Sequence, residues 1–156
     1  MCGIAGGQGK NGNPPSPGVL RALTDALDHR GPDGRGEYVE GATGLVHTRL
    51  AIIDLKTGDQ PLFHGTGPVL VANGEIYNYV ELRAGLADVS FQTASDCELP
   101  LHLYVKEGLG FVNRLRGMYG LALYDPKEAR LILARDPFGI KPLYYAQTAA
   151  GFFFAS

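Results

Sequence analysis

Cys2 stands directly behind the initiator Met1, and a cysteine placed there can do chemistry that one elsewhere cannot. Once Met1 is clipped, the α-amine of Cys2 lies within reach of its own sulfur, so nucleophile and base share one residue. An α-amine ordinarily titrates near ~7.7–8.0, so close to neutral pH much of it is free base and can relay the thiol proton through a water. No histidine is then required. The bland alternative is a small buried apolar residue in a first strand, which is how most free cysteines behave. Arg49 offers a planar fork suited to a carboxylate, or else it is a surface arginine pairing with Asp54. Asp96 and Glu75 offer negative charge to a cation, or else a favourable first-turn carboxylate and a solvated hairpin residue. Asn73-Gly74 by itself reads as a tight hairpin turn. His29 and His47 have no metal-ligand partner three to five residues away, and the set Cys2, His29, His47, Cys97 has no zinc spacing, so no metal site is expected.

The elements that must hold these residues are mostly strands. Met1–Gly9 reads as a strand starting almost at the terminus, and the Gly- and Pro-rich stretch Asn11–Gly18 as a loop. From Val19 to His29 the apolar residues Val19, Leu20, Leu23, Ala26 and Leu27 recur at helical spacing, and Gly31-Pro32 stops the helix. Strand-like pieces follow at Gly36–Val39, Gly44–His47, Leu50–Ile53 and Val69–Ala72. A second helix is expected from Ser95, where Ser95-Asp96-Cys97-Glu98 has capping-box spacing; Leu99, Leu103 and Tyr104 face inward. Pro100, a few positions in, is expected to kink it, at a cost of up to ~3 kcal/mol. A short helical piece at Phe111–Leu115 leads into strands at Met118–Tyr124, Leu131–Arg135, Leu143–Tyr145 and Phe152–Ala155.

Composition bounds the function. At 156 residues and 45% hydrophobic, the chain can bury one substantial core, so a single domain over residues 1–156 is expected. Net charge is −2 with no basic run, which argues against a nucleic-acid or anionic-membrane partner. No leader peptide is evident and no apolar run is long enough for a bilayer, so the expected compartment is the cytoplasm. Two cysteines do not make a disulfide framework, and Cys97 is expected to pack rather than react.

Six blocks occur in order: Cys2-Gly3-Ile4, His29-Arg30-Gly31-Pro32-Asp33, Arg49 to Leu55, Asn73-Gly74-Glu75-Ile76-Tyr77-Asn78, Ser95-Asp96-Cys97-Glu98, and Arg135 to Tyr145. Together they resemble the glutaminase domain of the glutamine-dependent asparagine synthetases, class II amidotransferases, over nearly the whole chain. The resemblance implies an α+β fold, a four-layer αββα sandwich of two stacked antiparallel sheets of the Ntn-hydrolase type. It implies that Cys2 attacks the carboxamide of glutamine and that Asn73 (side-chain amide) and Gly74 (backbone N–H) form the oxyanion hole. It assigns the substrate carboxylate to Arg49 and the substrate ammonium to Asp96, with Glu75 beside it. The backbone of Leu50, Ile52 and Ile53 would line the pocket, although as side chains these three read as core. The blocks from Arg30 to Asp33 and from Arg135 to Lys141 read as structural, holding loops near the pocket or meeting a neighbouring domain.

In such enzymes the ammonia passes to a synthetase domain that activates aspartate with ATP and magnesium. No Ser-Gly-Gly-Leu-Asp-Ser-type loop occurs here, so ATP and Mg are implied only for that absent domain, met in cis or in trans, and no cofactor is expected in this chain. The last residues, Phe152 to Ser156, carry no turn signal, which reads as a truncated domain. Two alternatives stay open: a catalytically inactive docking module, and the glutaminase module of another amide-forming synthetase. A homodimer is also left open.

Overall fold

The structure is a computed structural model and describes residues 1–52, 54 and 56–156. Twelve regular elements follow in chain order: β1 (Gly3–Gly9), α1 (Pro17–Leu27), β2 (Gly34–Glu40), β3 (Thr43–Arg49), β4 (Leu62–Phe63), β5 (Val69–Ile76), α2 (Tyr79–Ala84), α3 (Leu99–Glu107), β6 (Gly117–Asp125), β7 (Arg130–Arg135), β8 (Tyr144–Gln147) and β9 (Gly151–Ala155). The strands form two antiparallel sheets, ordered β2-β3-β1-β9-β8 and β4-β5-β6-β7.

Three apolar clusters tie these elements into four layers. Leu20 and Leu27 of α1 pack with Ala5 and Val46 on the outer face of the first sheet. Ile4, Leu45 and Phe154 of that sheet meet Val69, Val71 and Ala122 of the second. Leu99, Leu101 and Leu103, with Phe111, cover the far face of the second sheet over Leu70, Leu121 and Leu123. Each Val, Leu, Ile or Phe side chain among them contributes about 1.5–3 kcal/mol on burial. The four-layer α+β sandwich expected from sequence is what forms.

Local chemistry explains the boundaries. The α1 helix begins two residues before the expected Val19: Pro17 occupies its first turn, where a missing N–H is harmless, and the Ser16 hydroxyl accepts from the Val19 N–H at 3.3 Å. Its far end tightens into a 3-10 turn, Asp28–Arg30, before Gly31.

Four expectations are corrected. Leu50–Ile53 does not form a strand as far as it is described, and Ile53 lies outside the described residues. β3 stops at Arg49, paired with Gly34 at the start of β2. Beyond it the Leu50 N–H points to the Cys2 Sγ (3.4 Å) and the Ala51 N–H to the Asp33 carboxylate (2.9 Å), so side chains replace a neighbouring strand. The capping box at Ser95 is only half made. The Ser95 hydroxyl accepts from the Cys97 N–H at 3.2 Å, whereas the Glu98 carboxylate turns to the N–H groups of Gln92 and Thr93, both at 2.7 Å. Pro100 causes no kink, because a 3-10 turn, Asp96–Glu98, precedes the helix and leaves Pro100 in the first turn of α3, where no donor is needed. Asn73-Gly74 is not a hairpin turn but the middle of β5, opposite Gly120 and Tyr119 of β6.

Candidate active site

β1, β3, β5 and the Asp96–Glu98 turn converge on one cavity of about 80 Å³. Cys2, Arg49, Leu50, Ile52, Asn73, Gly74, Glu75 and Asp96, all selected from the sequence, line it. Ile53 falls outside the described residues, so its placement is not part of this picture.

Cys2 enters just ahead of β1 and is partly buried. Its thiol lies 3.6 Å from the Leu50 carbonyl oxygen and 3.4 Å from the Leu50 N–H, which fixes the sulfur against the turn after β3. Asp33 steadies that turn from the other side through Ala51, which is the loop-holding role the block around Asp33 suggested. Leu50 is half-buried, but Ile52 is 66% exposed and forms the rim, not the core.

Asn73 is buried in mid-strand, and its Nδ2 has no hydrogen-bond partner among the described residues. A buried donor left unpaired costs about 1–3 kcal/mol, so this amide is poised for a ligand atom. Gly74 beside it is required by the close approach of β6. A Cβ there would stand 2.2 Å from the Met118 carbonyl oxygen and 2.6 Å from the Tyr119 Cα.

Two opposed charges flank these donors. Arg49 is buried at the end of β3, not on the surface. Its guanidinium donates to the Asp59 carboxylate at 2.7 Å and to the backbone carbonyl of Asp54. The Asp54 carboxylate bonds elsewhere, to Thr57 and to the Ala94 N–H, so the Arg49–Asp54 ion pair weighed as the alternative to carboxylate binding is not the one that forms. Asp59 is an outward-facing carboxylate, 79% exposed at its side chain, so the fork is held at the cavity edge by a group that water can replace.

Asp96 is buried and accepts from the Ile76 N–H at 2.6 Å. Burial, with the neighbouring charge of Glu75 adding to it, raises its carboxyl above the ordinary range despite that bond. Two acids crowded in this way favour a cation between them.

Residues that sequence reasoning left aside also reach the cavity. His47, weighed there only as a metal ligand, is fully buried at its wall and its Nε2 has no partner among the described residues. Burial first, then the charge of Arg49, push its pKa down to about 4. A histidine that resists protonation when folded binds fewer protons than the unfolded chain below pH ~6.5. Stability is therefore expected to fall by about 3 kcal/mol as pH drops from ~6.5 towards ~4. His47→Gln should remove that part of the slope when melting temperature is followed against pH.

Lys141 also lines the cavity and is buried, which amends the purely structural reading of its block. The rest of that block does hold a loop: the Asp136 carboxylate accepts from the N–H groups of Phe138, Ile140 and Lys141, and Arg135 donates to the carbonyls of Gly139 and Lys141. Cys97, also at the wall, sits 3.7 Å from the Gly74 carbonyl oxygen, and burial pushes its thiol well up, so it stays protonated. No cluster of three or more potential metal ligands occurs among the described residues. No helix among them is long and apolar enough to cross a membrane.

Comparison with known proteins meets this geometry from outside. The family described as glutamine amidotransferase domain matches residues 1–156, the whole chain. The chain belongs to that family. This amidotransferase domain is 42% identical over 139 residues to asparagine synthetase [glutamine-hydrolyzing] 2 of Bacillus subtilis, a match covering 88% of the chain and 19% of the relative. It is 43% identical over 146 residues to asparagine synthetase [glutamine-hydrolyzing] of Brassica oleracea, covering 92% and 25%. With asparagine synthetase [glutamine-hydrolyzing] 1 of Saccharomyces cerevisiae it shares 40% over 152 residues, covering 96% and 26%. The domain thus spans between a fifth and about a quarter of the length of these relatives.

Among solved structures, glutamine phosphoribosylpyrophosphate amidotransferase from B. subtilis, complexed with ADP and GMP, superposes with a TM-score of 0.80 at 25% identity. That match covers 99% of the amidotransferase domain and 41% of the other chain. An allosteric regulatory enzyme of purine biosynthesis gives a TM-score of 0.81 at 22% identity, covering 100% and 42%, and supports the sandwich fold. The ordered blocks read from the sequence therefore identified the family, and the narrower kinship with asparagine synthetases agrees with these relatives.

Proposed function

We propose that this domain hydrolyses glutamine to glutamate and ammonia through a thioester on Cys2. The Sγ attacks the carboxamide carbon while the α-amine of a Met1-free Cys2 takes the thiol proton. The tetrahedral oxyanion forms against the Asn73 Nδ2 and the Gly74 N–H. It collapses with C–N cleavage, and the amine returns its proton to the leaving ammonia. Water, deprotonated by the same amine, then opens the thioester to glutamate and frees the thiol. Arg49 binds the substrate carboxylate after exchanging out Asp59, Asp96 binds the ammonium with Glu75 beside it, and the backbone of Leu50 and Ile52 shapes the wall. The single observation that carries this reading is the buried Asn73 amide, its Nδ2 without a partner among the described residues, in one cavity with the Cys2 thiol.

No step in this sequence requires a metal or an organic cofactor. The ammonia is proposed to pass to a synthetase domain, in cis or in trans, that makes asparagine from aspartate with ATP and Mg; the naming of the relatives supports this. The domain is proposed to act as one folding unit over residues 1–156, in the cytoplasm, without nucleic-acid or membrane partners, and a homodimer is an assembly open to it. Ammonia release from glutamine, measured on protein whose Met1 removal is verified by mass, tests the proposal. A well-folded sample that releases none would instead be the inactive docking module.

The acidic wall yields its own test. Asp96→Asn keeps an oxygen for the Ile76 N–H but loses the charge, so the KM for glutamine is expected to rise about 10- to 100-fold. The melting temperature should not drop, because a buried carboxylate with a raised pKa has been replaced by a neutral group. Steady-state kinetics and a thermal melt on the same preparation check both halves.

A further inference from the structure

Lys141 brings its side chain to the nucleophile cavity, which it shares with Glu75 and Asp96, and pairs with neither among the described residues. The side chain is buried, and its Nζ donates to the Met1 Sδ at 3.2 Å. No ion pair involving it occurs among the described residues. Its backbone is pinned, since the Lys141 N–H donates to Asp136 at 3.0 Å and its carbonyl accepts from Arg135 at 2.6 Å. Burying an unpaired cation is costly, so a chain that anchors one here should gain something from its charge. Met1 is the residue that excision removes. Met1, Cys2 and Lys141 line one cavity, so excision takes away the sulfur that the Lys141 Nζ contacts and leaves it in the cavity where the new N-terminus stands.

We infer that Lys141 is an electrostatic positioning residue for the α-amine of Cys2, its fixed positive charge keeping that amine in the free-base form near neutral pH. This rests on the proposed glutaminase reading, in which that amine is the base. Two like charges in one cavity oppose each other, and the group that ordinarily titrates lower, an α-amine near ~7.7–8.0 against a lysine near ~10.4, is the one that yields its proton. Lys141 gains and loses no proton in the reaction. The S–H bond of Cys2 breaks, an N–H bond forms on its amine, and the sulfur pair attacks.

The other charged groups around the amine leave this effect standing. From β3, His47 is neutral above pH ~4 and Arg49 is matched by Asp59. From the turn after α1, His29 and Arg30 stand at the cleft that Met1 shares with Leu50 and Pro142, where the cation of Arg30 acts in the same sense as Lys141. Glu75 of β5 and Asp96 line the same cavity and act in the opposite sense, equally in wild type and in each Lys141 variant, so the difference between wild type and variant reads Lys141 alone. On its own loop, Asp136 and Arg135 keep opposite charges, the first accepting from and the second donating to the loop backbone, and both are present unchanged in every Lys141 variant.

The test compares Met1-free wild type with Lys141→Met, which keeps length without charge, and Lys141→Arg, which keeps charge. Lys141→Gln serves as a second neutral variant should the first fold poorly. The kcat/KM for glutamine is followed from about pH 5.5 to about 9.5. In the neutral variants the acid limb is expected to move up by about one unit, a loss of about tenfold near pH ~6 that vanishes near pH ~9, while Lys141→Arg follows wild type. An unchanged limb, or a loss equal at every pH, overturns the inference. The pH dependence of N-terminal acylation, read by mass spectrometry, reports the amine itself. If wild type releases no ammonia, the glutaminase reading fails, yet a higher amine pKa in Lys141→Met still upholds the inference and an identical one overturns it.

Discussion

Cys2→Ala is expected to lower ammonia release from glutamine by about 10⁴-fold or more, because without the sulfur no thioester can form and only binding and the oxyanion donors are left. The loss should come without unfolding. The Cys2 side chain is only partly buried and its contacts are weak sulfur bonds to Leu50, so removing one sulfur should shift stability by less than about 1 kcal/mol. A protein that keeps Met1 should be as inactive as Cys2→Ala, for a different reason: the amine proposed as base is then an amide nitrogen, which cannot accept the thiol proton. Mass-verified processed and unprocessed samples, assayed beside Cys2→Ala, separate the two causes, since only the unprocessed sample regains activity when an aminopeptidase removes Met1.

Asn73→Ala is expected to lower kcat by about 10²- to 10³-fold while KM changes little, since the oxyanion exists only after attack and its donor is felt in the transition state. Folding should pull the other way. In the free protein the Asn73 Nδ2 is buried with no partner among the described residues, so truncation relieves an unsatisfied donor while opening a small void. Stability is expected within about 1 kcal/mol of wild type. A residue whose loss costs several kcal/mol of catalysis and almost none of stability is hard to explain as scaffold. If denaturant unfolding instead showed a loss of more than about 3 kcal/mol with activity scaling to the folded fraction, Asn73 would be a strand residue only.

The sequence made much of this legible, and unevenly. The stripe of Leu20, Leu23 and Leu27 exposed α1, and the alternation and punctuation of short apolar runs gave most strands. The 50–53 run misled, because an apolar stretch looks the same whether it pairs in a sheet or lies against a pocket, and only Cys2 and Asp33, distant in sequence, decide which. The α2 helix, six residues long, is too short to show a period. Asn73-Gly74 illustrates how context overrides a dipeptide: its turn preference is real, but eight residues of pairing with β6 outweigh it. In the site, Cys2, Arg49, Asn73, Gly74 and Asp96 were readable because their blocks resemble those of known glutaminases. His47 and Lys141 were not, since β3 is buried along its whole length and gives no alternation, and the Lys141 loop is brought to the N-terminus only by the closing of β8 and β9.

The central claim is that the thiol of Cys2, freed of Met1, is the nucleophile. An electrophilic glutamine analogue, incubated with processed protein and followed by peptide mass spectrometry, tests it directly. One adduct is expected, on the N-terminal peptide at Cys2 and suppressed by excess glutamine. Label on Cys97, the other thiol of the same cavity, or an active sample that takes no label at Cys2, would contradict the claim.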